Sequence, residues 1–165
     1  MAHRAACSRQ GPHEADAGMG ARAMLAAIGQ RELYPQLFRT YATEFNWAYR
    51  DRYPEAPIVQ QGPAFTVYLL SLDGDRQQAA TRYADAFRQP FPGVDSEIEA
   101  EPLFRSLEDT WRSLYAVRCL ERFAEFTGIA TVRREGGDLL TDPQTIIVQT
   151  TPLISRLIQF RPTNP

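Results

Sequence analysis

The stretch LFRSLEDTWRSLYAVRCLERFAEFTG, Leu103 to Gly128, decides the fold. Leu107, Trp111, Leu114, Tyr115, Leu120, Phe123 and Phe126 recur at helical spacing and cover more than half of the circumference. Arg112, Arg118, Glu121, Arg122 and Glu125 are left with a narrow polar side. A helix that is apolar over most of its surface belongs at the centre of a core. Gly128 is placed to cap its C-terminus, where a left-handed residue is needed.

Downstream the period changes from helical to alternating. Ala130, Val132 and Arg134 alternate with Ile129, Thr131 and Arg133, Gly136-Gly137-Asp138 supplies turn chemistry, and TIIVQT (Thr145 to Thr150) is a second β-branched strand. About ten residues, Glu135 to Gln144, join the strands, which implies a long loop rather than a tight hairpin turn. Pro152 then opens a short helix in which Leu153, Leu157, Ile158 and Phe160 can pack back on the core.

Upstream, Leu37, Phe38, Tyr41, Phe45 and Tyr49 predict an amphipathic helix from Pro35 to about Tyr49, preceded by a helical pattern from Ala21. The span from Arg50 to Gly62 holds Pro54 and Pro57 and reads as a loop. Pro63 to Leu72 reads as a buried helix, although Thr66 and Val67 also suit a strand. After the Asp73-Gly74-Asp75 turn, Ala79, Ala80, Tyr83, Ala84 and Phe87 give a second helix from Arg76 to Arg88. The QPFPG segment (89–93) then breaks the chain, and Val94 to Thr110 carries six carboxylates against one arginine. Those acids read as a solvated face rather than an acid/base pair. Residues 1 to 20 read as a disordered leader, and 21 to 165 as a single, mostly helical domain.

The fold class expected is therefore mainly α with a small β-hairpin, an α+β arrangement. The helix ending RFAEFTG, the strand IATVRREG, the Gly-rich turn, the strand TIIVQT and the helix start TPLISRLI resemble the end of bacterial winged-helix domains, over roughly residues 103 to 161. The resemblance implies a DNA-binding regulator, with Arg118, Arg122, Arg133, Arg134 and Arg156 as the candidate phosphate contacts.

Composition pulls the other way. All eighteen basic residues are arginine, so each must serve ordinary surface roles as well as any phosphate contact, and the net charge is −2. Glu121 and Glu125 interleave with Arg118 and Arg122 and would set carboxylates against a DNA backbone. Trp47, Tyr49, Trp111, Tyr115, Phe123 and Phe126 beside a near-neutral helix face suit contact with another protein, or self-association, better. The reading preferred is a non-enzymatic binding or regulatory module acting through protein contacts, with DNA binding as the alternative.

Enzymatic classes find no support in the motifs. The two histidines, His3 and His13, lie near the N-terminus with Cys7, and Cys119 reads as a small core residue. No phosphate loop, nucleophile elbow or metal-ligand spacing is present, so neither a cofactor nor a metal is expected. The longest apolar run is far short of a membrane span, and a cytoplasmic protein is expected.

Overall fold

A computed structural model describes residues 30–49, 51–99, 105–136 and 145–157. Tertiary contacts divide the chain into two units, residues 1–37 and 38–165. The described part of the first, residues 30–37, is the opening of helix α1 (Gln30–Glu44). The expected leader, the helical pattern from Ala21, most of the loop between the hairpin strands, and Ile158 and Phe160 lie outside the described residues.

The architecture is mainly helical with a small antiparallel sheet. After α1 come α2 (Pro57–Gln61), α3 (Pro63–Asp73), strand β1 (Gln78–Ala79), α4 (Ala80–Arg88), α5 (Gly93–Glu99), α6 (Leu107–Tyr115), a π-helix (Ala116–Glu125), β2 (Ala130–Glu135), β3 (Thr145–Thr150) and α7 (Pro152–Leu157). No helix among the described residues is long and apolar enough to cross a membrane.

The hairpin forms as its alternation predicts, in register from Ala130 opposite Thr150 to Glu135 opposite Thr145. The sheet nevertheless has three strands, in the order β1-β3-β2. Gln78 and Ala79, expected within a helix running from Arg76, instead pair with Val148 and Ile147. Left alone, the outer edge of β3 would expose unpaired backbone groups. The turn before β1 is tied to the same strand by Gln149, whose side-chain amide donates to the Asp75 carbonyl at 2.9 Å, and by Thr150, whose hydroxyl donates to the Gly74 carbonyl.

Two helical boundaries also differ from expectation. The first predicted helix ends at Glu44, not Tyr49, and Pro35 lies inside it rather than in its first turn. Gln60 supplies the reason for the early stop: its side chain accepts from the Trp47 backbone N–H at 2.9 Å and donates to the Phe45 carbonyl at 2.8 Å. The acidic stretch after QPFPG is not simply a break, because Val94 and Ile98, four residues apart, bury one face of α5. Two of its acids are partnered: Asp95 accepts from Arg88 at 2.7 Å, and Glu97 accepts from the Ile58 backbone N–H at 3.2 Å.

The core is built on α6 and the π-helix, as the Leu103–Gly128 pattern predicts. Trp111, Leu114, Tyr115, Cys119, Leu120 and Phe123 are fully buried. Trp111 and Tyr115 pack against Phe87 of α4 with ring centroids 5.8 and 5.3 Å apart. Ser106 caps α6 by accepting from the Asp109 N–H at 3.1 Å, and Gly128 takes the left-handed conformation expected of it, with φ of 75°.

Gly62, between α2 and α3, is required for a different reason. A Cβ there would lie 2.5 Å from the edge of the buried Phe87 ring. Gly62→Ala is expected to cost about 1–3 kcal/mol by forcing that ring aside, measurable as a lower urea midpoint at unchanged m-value. A neutral substitution would mean that Phe87 has room to move.

Candidate functional site

The π-helix governs what the surface presents. Its backbone bonds reach one residue further than α-helical ones, as in Phe126 N–H to the Glu121 carbonyl (3.2 Å) and Ile129 N–H to the Ala124 carbonyl (3.0 Å). Each turn takes in an extra residue, so faces assigned by α-helical spacing drift. Arg118, read from the sequence as part of the polar side, is buried, on the face it shares with Leu114 four residues before it and Trp111 seven before it.

Its partner comes from far along the chain. Arg118 forms a two-pronged ion pair with Asp51, at 2.7 and 2.9 Å, with side chains only 3% and 4% exposed. The same guanidinium donates to the Tyr53 and Pro54 carbonyls at 3.2 and 2.8 Å. One turn on, Arg122 donates to the carbonyls of Trp47 and Tyr49 and lies 3.6 Å from Asp51. Together the two arginines fasten the segment from Trp47 to Pro54 against the π-helix.

An aromatic platform stands on this clasp. Phe123 is buried and stacks on Trp47 at 4.6 Å. Above them Tyr41 lies between Phe45 (4.7 Å) and Phe126 (4.8 Å), both approximately parallel to it. The Tyr41 hydroxyl donates to the Arg122 carbonyl at 2.5 Å. Burial pushes its phenol pKa up and the Arg122 charge partly opposes that, which keeps the donor protonated. The outer members are open to solvent, Phe126 being 72% and Phe45 44% exposed, and Tyr49, on the fastened segment, is 61% exposed.

Of the six aromatics that suggested an interface, four (Trp47, Trp111, Tyr115 and Phe123) are core, while Tyr49 and Phe126 are surface. Sequence reading assigned Tyr41 and Phe45 to a helix face without placing them beside Phe126, a neighbour 81 residues from Phe45 in the chain. The signal was present only as aromatic spacing on two separate helices.

The five arginines proposed for phosphate contact are not brought together as a basic surface. Arg118 is enclosed with Asp51. Arg122 is occupied by three loop groups, Arg134 pairs with Glu121, and Arg133 lies 3.8 Å from Glu135. Arg156 sits exposed on α7.

Cys119, in the core, is fully buried, and burial pushes its thiol up to about 12, with Thr66 and Arg118 acting in the opposite sense. In a Cys7→Ser background the thiol should therefore react with a disulfide reagent at pH 8 only as fast as the protein unfolds. Because the folded pKa lies above the unfolded one, the stability from this group is complete below about pH 9 and falls as pH rises toward 12. Rapid labelling of the native protein would refute the burial.

No protein family, curated protein or solved structure matches the chain.

Proposed function

We propose that the chain is a non-enzymatic protein-contact module whose aromatic platform, Tyr41, Phe45 and Phe126, packs against a second copy. The observation that carries this reading is Phe126: a large apolar ring, mostly in solvent, yet stacked on Tyr41 and therefore held in one orientation. Exposed aromatics on a rigid frame lose little conformational freedom on binding, and rings of this type dominate protein interfaces. Flat, uncharged ring faces are self-complementary, as a two-fold symmetric contact requires.

The helix, hairpin and closing helix between 107 and 157 support a winged-helix-like reading of that unit. DNA binding is the weaker use of it, because four of its five candidate arginines already face carboxylates or backbone carbonyls.

Light scattering on a size-exclusion column tests the proposal. The native chain is expected to shift from monomer to dimer with rising concentration, and Phe126→Ser to remain monomeric with the same melting temperature. A native protein that stays monomeric at the highest attainable concentration, or a variant that dimerises equally well, would overturn it.

A further inference from the structure

A polar cleft opens beside the clasp, between the end of α1, α2 and the π-helix, with a volume of about 280 Å³, just below the range for drug-sized ligands. Arg118 forms part of its lining, although that side chain is only 3% exposed. Nε and Nη2 of the guanidinium are spent on Asp51 and on the Tyr53 and Pro54 carbonyls. Nη1 carries two further N–H groups, has no acceptor among the described residues, and is not sealed from solvent. A buried guanidinium normally has its donors filled, so this one lacks an acceptor where the cleft would deliver it. The walls are fixed in advance: Gln60 bridges Trp47 and Phe45, and Asn46 accepts from the Ala48 backbone N–H at 2.9 Å. Glu44 and Glu55 complete the lining on its outer side, both exposed and in no ion pair among the described residues.

We infer that this cleft binds a small amino amide, its carbonyl oxygen on Arg118 Nη1 and its ammonium on Glu44 and Glu55. Asp51 already neutralises Arg118, so the buried end asks for a hydrogen-bond acceptor and not for a counter-ion. An anion would meet the Asp51, Glu44 and Glu55 carboxylates together, whereas a ligand positive at its outer end is attracted by the last two. Ala48, Ala56 and Pro57 also line the cleft, and their carbon surface suits a short aliphatic side chain. The inference does not rest on the dimer reading, although Phe45 belongs to both surfaces.

Heteronuclear NMR titration of the full chain with valinamide, at about pH 6 where its amino group is charged, tests it against three analogues that each change one feature. Valinamide is expected to bind saturably at one site and to shift the guanidinium signals of Arg118, whose burial and ion pair slow their exchange with water. Isovaleramide, without the ammonium, and isobutylamine, without the amide, should each bind about tenfold more weakly. Valine, whose carboxylate replaces the amide, should also bind more weakly than valinamide. Glu44→Gln/Glu55→Gln alters two exposed side chains and should bring valinamide down to the affinity of isovaleramide. Phe126→Ser, which leaves every lining residue in place, should bind valinamide as the native chain does. No saturable binding of valinamide, saturation with the Arg118 signals unmoved, valine binding as tightly as valinamide, or an unchanged affinity in the double variant would each overturn the inference.

Discussion

Arg118→Met is expected to lower stability by about 3–5 kcal/mol, one of the two largest single effects in the molecule. Removing the guanidinium leaves the Asp51 carboxylate, 4% exposed, with the Tyr53 backbone N–H at 3.1 Å and, as its remaining cation among the described residues, the more distant Arg122 at 3.6 Å. It also strips donors from the Tyr53 and Pro54 carbonyls. In a chain of 165 residues the loss should appear as a fall in melting temperature of about 10 °C or more. The double variant Asp51→Leu/Arg118→Met removes the stranded charge and should recover part of the loss. Recovery should be incomplete, because the two carbonyls stay unpaired. If the double variant instead loses the sum of the two single effects, Asp51 and Arg118 are not coupled and the clasp is misassigned.

Trp111→Ala is expected to cost a similar amount, about 3–5 kcal/mol, through the cavity it leaves. The indole is fully buried between Phe87 and Tyr115 and donates to the Ala84 carbonyl at 3.0 Å. Trp111→Phe keeps most of the ring volume and gives up that bond, so its cost should be less than half as large. Denaturant titration of the two variants separates packing from hydrogen bonding. Equal losses would assign the effect to the hydrogen bond rather than to the volume of the ring.

Local periodicity was sufficient to read the helices around the core, the buried Cys119, the Gly128 cap and the β2–β3 hairpin, because each depends on neighbours within a few residues. The mainly α architecture with a small sheet follows from those elements. What periodicity does not carry is a partner distant in the chain. Strand β1 exists because β3 has a free edge, a fact fixed some seventy residues later. Gln60 ends α1 from outside it.

The candidate site was legible in composition but not in placement. Arg118 falls at helical spacing from Trp111 and Leu114, on their buried face, and Asp51, within a segment expected to be a plain loop, is what permits a buried cation there. Tyr41, Phe45 and Phe126 become one surface only after α1 docks on the π-helix.

The aromatic platform is best tested by placing a photo-crosslinking phenylalanine analogue at position 126 and, separately, at Leu72, another exposed apolar position that is 55% accessible. Irradiation should give a covalent dimer from position 126 and monomer from position 72. Crosslinking equal at both positions, or absent at 126, would contradict the assignment of this surface as the contact between copies.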